Sequence, residues 1–139
     1  MILLDTNVVS ELMRAAPDQK VLAWFDAHEN IPLYLCTVSE AELWAGFHHL
    51  PDGQRRSAIG AAITAMLAED FAGRILPFDS AAAFAFGKIS GQRKSLGRPI
   101  STADAQIAAI AQVHGFRLVT RNTADFEGCG VDVVNPWAG

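Results

Sequence analysis

Short apolar runs in this chain alternate with longer segments of helical periodicity. The apolar runs have the length of buried strands and lie at residues 2–4, 31–36, 74–78, 118–119 and 131–134. Between them, the pattern predicts helices over residues 8–14, 54–72, 79–96 and 102–114, with others starting near Pro17-Asp18 and Thr37. Strands that alternate with helices form a parallel sheet covered on both faces. We therefore predict a three-layer α/β/α fold with a central, mainly parallel sheet of four to five strands.

Local signals predict where two of these helices begin and end. Asn7 is of a type favoured at the N-cap, so we expect it to open the first helix. Ser101 is predicted to cap the helix over residues 102–114. Gly115 stands where a left-handed residue commonly ends a helix.

The totals define the broad class of the protein. With 139 residues, we predict one domain over residues 1–139. Half of the residues are hydrophobic and 19% are charged, which excludes disorder. No apolar run approaches the roughly 20 residues of a membrane span, so we expect no membrane contact. The start of the chain does not resemble a secretion signal, and a cytoplasmic location is expected.

The net charge of −4 constrains any contact with nucleic acid. A domain that holds nucleic acid through charge alone is expected to be basic. Such a contact would therefore have to be local here. A bound divalent cation that reverses the charge of an acidic pocket would strengthen it.

Acidic and amide side chains recur at the junctions between elements. They follow the ends of predicted strands or open helices, at Asp5, Glu42, Asp104, Asn122 and Asp125. Each also has a structural interpretation: Asp5 and Asp104 suit helix starts, Glu42 could pair with Ser39 in a capping box, and the others suit a turn.

A doubly wound sheet gathers such junctions into one crevice. Hard oxygen donors from four such junctions would repel one another there unless a hard divalent cation lay between them. Mg²⁺ or Mn²⁺ fits this donor set, whereas zinc prefers imidazole or thiolate. The four histidines show no zinc-binding spacing. We therefore expect a Mg²⁺ or Mn²⁺ site.

Six motifs together resemble the PIN-domain ribonucleases, especially the VapC-type toxins of bacterial type II toxin–antitoxin pairs. In chain order they are LLDTNVVSEL, VSEAELWAG, ILPFD, STADAQIAAIA, LVTRNTADF and NPW. ILPFD and NPW further resemble the FitB-like branch. The resemblance covers almost the whole chain and implies a PIN-like fold with a metal-dependent endoribonuclease activity.

The resemblance also implies roles for the acids. Asp5, Glu42 and Asp104 match the three core metal-site acids of the family. Many relatives have an aspartate where this chain has Asn122, and a second acid often follows three residues later, here Asp125. Either Asp125 supplies the fourth catalytic position, or the site works with three carboxylates and Asn122.

Polar residues around these acids match positions that support them in the family: Thr6, Asn7, Ser39 and Thr120. For binding of RNA, the basic candidates near the Asp104 helix and the last loop are Arg93, Lys94, Arg98 and Arg121. The alternative for these charges is a solvated helix surface. The resemblance implies hydrolysis that leaves a 5′-phosphate and a 3′-hydroxyl.

The implied partners are RNA, such as transfer RNA, and a VapB-like antitoxin that holds the toxin inactive, with the toxin itself forming a homodimer. Five apolar residues could line a groove for the antitoxin or belong to the core: Trp24, Phe25, Leu43, Trp44 and Phe47.

Three other types of protein share part of this pattern of acids. A haloacid-dehalogenase-type phosphotransferase requires an acid where this chain has Asn7. A receiver domain requires a lysine after a late strand, and none follows Lys94. A PIN-like domain that binds a partner or nucleic acid with weak or no catalysis is the third, and Asn122 is the residue that suggests it.

Overall fold

A five-stranded parallel sheet forms the centre of the molecule, in the strand order β3-β2-β1-β4-β5. The computed structural model describes residues 1–138. The strands are β1 (Ile2–Leu4), β2 (Leu33–Cys36), β3 (Ile75–Leu76), β4 (Arg117–Val119) and β5 (Val133–Val134). The predicted parallel α/β/α architecture is therefore confirmed. β1 has the predicted bounds, β4 is one residue longer, and β2, β3 and β5 are shorter than their apolar runs.

Six α-helices connect and cover these strands. They are α1 (Thr6–Leu12), α2 (Gln19–Ala27), α3 (Thr37–His48), α4 (Gln54–Ala65), α5 (Ser80–Ser95) and α6 (Thr102–His114). A π-helical turn, Met66–Asp70, extends α4, and a 3₁₀ turn, Thr123–Phe126, follows β4. Among residues 1–138, none of the helices combines the length and apolar character that crossing a bilayer requires.

The alternation of side chains along β1 divides the core into two halves. Leu3 packs in a cluster with residues of α5 and α6, whereas Ile2 and Leu4 pack with residues of α1, α3 and α4. All three are at most 3% exposed. A strand that is buried on both faces reads as a continuous apolar run, which is why β1 was visible in the sequence.

The register of β1 and β4 determines which residues meet at the edge of the sheet. Leu4 lies opposite Val119, so Asp5 and Thr120 leave the sheet side by side. The Asp5 amide donates to the carbonyl of Val119 at 2.9 Å. Both chain segments then enter the crevice at the carboxyl ends of the strands.

Helix α6 begins and ends as predicted. The Ser101 hydroxyl accepts from the amide of Asp104, and Gly115 adopts the left-handed conformation at φ 67°. Both signals act within a few residues of the helix end, so no distant contact displaced them.

Two capping predictions were wrong. Asp5, not Asn7, caps α1, because its carboxylate accepts from the amide of Thr6. The proposed Ser39–Glu42 capping box does not form, since α3 already begins at Thr37 and no side chain caps it. Ser39 is instead fully buried within the first turns of the helix.

Candidate active site

Asp5 lies at the carboxyl end of β1 and is only 5% exposed. One carboxylate oxygen, Oδ1, accepts from the amide of Thr6 at 2.8 Å. The other, Oδ2, accepts from the Thr120 hydroxyl at 2.8 Å and from the Asn7 amide group at 3.3 Å. Two strands and the start of α1 thus fix the position of this carboxylate.

Glu42 is connected to the first helix through Thr6. The Thr6 hydroxyl donates to Oε1 of Glu42 at 2.6 Å and lies 2.9 Å from the Ser39 hydroxyl. Glu42 is exposed, whereas Ser39 is fully buried. Glu42 therefore presents its carboxylate to solvent from a position that a hydroxyl pair restrains.

Asp104 lies in the first turn of α6, where the helix dipole favours an acid. It lines a cavity of about 210 Å³ together with Arg93, Pro99, Ile100, Ser101 and Asp125. The cavity brings Asp104 and Asp125 to one wall of the crevice. Glu42 and Asn122 are not among the residues that line it.

Burial and mutual repulsion both disfavour the charged forms of the buried Asp5 and the half-buried Asp104. Burial raises the pKa of Asp5, and the nearby charges of Asp104 and Glu42 raise it further, against the hydrogen bonds from Thr120 and Thr6. Burial also raises the pKa of Asp104; Asp125 and Glu42 add to the increase, while Ser101 and Arg93 oppose it. The structure therefore brings these four acids within electrostatic reach of one another.

Asn122 and Asp125 occupy the loop that follows β4. The amide of Asn122 donates to the Thr120 hydroxyl at 3.1 Å, and its carbonyl accepts from the amide of Asp125 at 3.0 Å. Both side chains are exposed. The backbone of Asn122 thus stabilises the loop, and Asp125 lines the same cavity as Asp104.

The four basic candidates differ in their surroundings. Lys94 is exposed. Arg98 forms an ion pair with Glu127 at 2.8 Å. Arg121 is exposed, and its guanidinium stacks 4.9 Å from the centre of the Trp137 ring.

Arg93 does not agree with a role in direct RNA contact. It is 4% exposed, and its guanidinium donates to protein atoms. The sequence contained a signal for this burial, because Ala82, Ala85, Ile89 and Arg93 follow helical spacing and all four are buried in α5.

The C-terminal segment contributes a further contact that the sequence did not predict. The Asn135 side chain donates to the carbonyl of Arg121 at 3.3 Å, and the Arg121 amide donates to the side chain of Asn7 at 3.3 Å. Asn7 in turn donates to Asp5. Side-chain amides therefore connect the tail to the buried acid.

The donor set suits a hard divalent cation in its chemistry. None of the ion pairs among the described residues includes the buried Asp5, so its charge lacks a protein counter-ion. Within residues 1–138, however, no three side chains of His, Cys, Asp or Glu are gathered closely enough to coordinate one ion. A cation would have to draw these carboxylates together.

Comparison with known families agrees with this fold. Residues 2–128 match the PIN domain family, and the chain belongs to that family. Its relatives within the family include VapC- and FitB-type proteins. VapC ribonuclease Y4jK of Sinorhizobium fredii is 44% identical over 99% of this chain and 98% of its own. Toxin FitB of Neisseria gonorrhoeae is 39% identical over 99% of both chains.

Solved structures give the same assignment. The structure of FitAB bound to an IR36 DNA fragment matches with a TM-score of 0.90 at 38% identity, over 99% of this chain and 96% of that chain. FitAcB from Neisseria gonorrhoeae matches with a TM-score of 0.89 at 38% identity, over 99% of both chains. The predicted family, including its FitB-like branch, is therefore confirmed.

Proposed function

We propose that this protein is a Mg²⁺- or Mn²⁺-dependent endoribonuclease, the toxin of a toxin–antitoxin pair acting in the cytoplasm. The observation that carries the proposal is Asp5, a buried carboxylate without a counter-ion that Asp104 and Glu42 further repel. Such an arrangement is costly unless a cation compensates it. The names of the relatives, VapC ribonuclease and toxin FitB, support the same activity.

The chain's own residues supply the other requirements of hydrolysis. Asp5 and Asp104 would hold the cation, which lowers the pKa of bound water and offsets charge on the phosphodiester. Glu42 is held through Oε1 by Thr6, which leaves Oε2 to accept a proton from the attacking water. Because water is the nucleophile, the 2′-hydroxyl is not needed. Attack in line with the 3′-oxygen would form the new P–O bond as the P–O3′ bond breaks, and a proton from solvent on the leaving oxygen would give a 5′-phosphate and a 3′-hydroxyl.

Substrate contacts would come from exposed basic residues beside the crevice. Arg121 is held at the end of β4 by Asn7, Asn135 and Trp137. Arg98 is exposed three residues before Ser101, which caps the helix of Asp104, and Lys94 is exposed in the last turn of α5. Single-stranded loops of structured RNA, such as those of transfer RNA, would allow the strand to enter the crevice, because their bases are free to splay.

An apolar groove next to Glu42 suits an antitoxin partner. It has a volume of about 550 Å³ between α1, α3 and α4 and contains Leu43, Phe47 and Ile59. Of the five apolar residues considered from the sequence, Leu43 and Phe47 line this groove, while Trp24, Phe25 and Trp44 pack against the core. The FitAB relative is a complex by its description, which supports a partner of this kind.

Exposed apolar area supports self-association as well. Phe84 in α5 is 80% exposed and Leu96 at the end of that helix is 63% exposed. A second copy of the chain would remove this area from water. We propose a homodimer on this basis.

The experiment is RNA cleavage by purified protein free of antitoxin. Total cellular RNA is incubated with Mg²⁺ or Mn²⁺, with EDTA, and with the Asp5→Asn protein. Cleavage that requires the cation and Asp5 supports the proposal. A folded protein that binds its partner but cuts nothing under any cation would instead favour the binding module without catalysis.

A further inference from the structure

Arg93 is the buried cation of the crevice. It stands at the C-terminal end of α5 with 4% of its surface exposed. Of the three ion pairs among residues 1–138, none includes Arg93. A buried guanidinium without a carboxylate partner is costly unless its donors are satisfied. Arg93 therefore does not serve to solvate the surface of α5, and its donors must be satisfied inside the protein.

The guanidinium binds backbone atoms on both sides of the crevice. Nε donates to the carbonyl of Arg98 at 2.7 Å, and Nη1 donates to the carbonyl of Asp125 at 2.6 Å. Nη1 also lies 3.4 Å from the sulfur of Cys129. One side chain thus links the end of α5, the segment before α6 and the 3₁₀ turn after β4.

The link to Arg98 is reciprocal. The Arg98 amide donates to the carbonyl of Arg93 at 3.0 Å, and Gly97 between them is left-handed at φ 71°. This is the Schellman arrangement that ends a helix. Since Ser101, which caps the helix of Asp104, follows three residues after Arg98, Arg93 also restrains the approach to Asp104.

Arg93 reaches the acids without neutralising them through direct pairing. It binds the main-chain carbonyl of Asp125 and leaves the carboxylate of that residue exposed. It lines the cavity of about 210 Å³ in which Asp104 and Asp125 meet, and it is the one basic residue of that lining among the described residues. Asp5, Glu42 and Asn122 do not line this cavity. Of the two loop residues, only Asp125 therefore shares it with Asp104, and the charge of Asp125 raises the pKa of Asp104.

We infer that Arg93 is a positioning residue that fixes the turn of Asp125 against Asp104, so that Asp125 rather than Asn122 supplies the fourth acid of the site. The inference rests on the proposed function. A planar guanidinium with several fixed donors suits this task, because it bridges two carbonyls at once. A lysine would bind one of them at a time.

The test is a double-mutant cycle on RNA cleavage. Arg93→Met and Arg93→Lys are measured alone and combined with Asp125→Asn, with Arg117→Met as the control for loss of an exposed arginine at the opposite edge of the sheet. In the wild-type background we expect Arg93→Met to lower kcat about tenfold or more. In the Asp125→Asn background the same substitution should lower kcat by less than about twofold. Arg93→Lys is expected to lie between wild type and Arg93→Met.

A second readout does not depend on activity. Amide hydrogen exchange of Asp125, Glu127 and Cys129, whose amides bond within the turn, is expected to accelerate in both Arg93 variants and to stay unchanged in Arg117→Met. Exchange in α1 serves as the internal reference. If Arg93→Met fails to fold, Arg93→Lys carries both measurements.

Equal loss of kcat in both backgrounds, or unchanged exchange in the turn, would overturn the inference. Failure of the proposed function has a different signature, because Asp5→Asn would then cleave RNA like wild type. In that case the exchange measurement alone decides whether Arg93 holds the turn.

Discussion

The hydroxyl of Thr120 donates a hydrogen bond of 2.8 Å to Oδ2 of Asp5, which lies 115 residues earlier in the chain. The contact exists because β1 and β4 are neighbouring parallel strands in which the last residues, Leu4 and Val119, pair with each other. It also gives a fully buried hydroxyl and a nearly buried carboxylate a partner each. Strand register, rather than proximity in sequence, therefore builds the centre of the site.

Replacing Thr120 with valine is expected to destabilise the fold at neutral pH. The substitution keeps the shape of the side chain and removes a donor to a buried charge, which costs about 1–3 kcal/mol. Urea unfolding at pH 7 measures this loss, and the loss should shrink at acidic pH, where Asp5 is protonated. Thr64→Val, at an exposed hydroxyl of α4, is the matched control and should change stability by about 0.5 kcal/mol or less.

Asp5→Asn is expected to separate stability from activity. Burial, Asp104 and Glu42 raise the pKa of Asp5 in the folded state above its ordinary value of 3.8. The stabilisation that protonated Asp5 gives the folded protein is therefore fully present below pH 3.8. It is lost as the pH rises through the pKa that Asp5 has in the folded protein. Because asparagine has no such loss, the free energy of unfolding of the variant minus that of wild type should increase from pH 4 to pH 7.

Chemical denaturation across this pH range checks the sign. Asp26→Asn, at an exposed position of α2, is measured in parallel as a carboxylate-to-amide change on the surface. A difference between Asp5→Asn and wild type that decreased towards pH 7 would contradict the origin assigned to the pKa of Asp5.

Thr6 is expected to matter through its hydroxyl. Thr6→Val removes the donor that holds Oε1 of Glu42, and loss of such a supporting contact typically lowers activity about 10–100-fold. Thr6→Ser keeps the hydroxyl and should retain most of the rate. Single-turnover cleavage of the two variants makes the comparison, and equal rates would show that Glu42 does not need this contact.

Arg121 is expected to bind substrate rather than to perform chemistry. Arg121→Ala should raise KM severalfold with little change in kcat. A plot of the logarithm of the RNA-binding constant against the logarithm of the salt concentration should become less steep by about 0.7, the value for one phosphate contact to a single strand. Arg117→Ala, at the opposite edge of the sheet, should leave both quantities unchanged. A fall in kcat at constant KM would place Arg121 in the chemical step instead.

The features that the sequence predicted well depend on local or strongly periodic signals. Helix α6 has its own cap in Ser101 and its own terminator in Gly115, and β1 is an uninterrupted apolar run. Asp5 was visible because a carboxylate directly follows that run. The junctions that carry acids could therefore be located before their distances were known.

The features that were missed depend on tertiary contacts. For Ser39 the sequence left two interpretations open, a capping box with Glu42 and a polar support for the acids, and only the contact of its hydroxyl with Thr6, 33 residues away, excludes the capping box. Arg93 was predicted to bind RNA, with a solvated helix surface as the alternative, although its spacing from Ile89 and Ala85 placed it on the buried face of α5. The acceptors that make its burial tolerable, Arg98 and Asp125, become visible only in three dimensions.

The most direct test of a catalytic cation at Asp5 and Asp104 is a calorimetric measurement of Mn²⁺ binding by the antitoxin-free protein. RNA cleavage is measured in the same preparation. We expect wild type to bind Mn²⁺ and to cut RNA. EDTA should abolish cleavage and added Mn²⁺ should restore it, whereas Asp5→Asn and Asp104→Asn should lose both properties. Asp26→Asn should retain both. Equal Mn²⁺ binding by wild type and Asp5→Asn, or RNA cleavage that persists in EDTA, would contradict the claim that these carboxylates hold a catalytic cation.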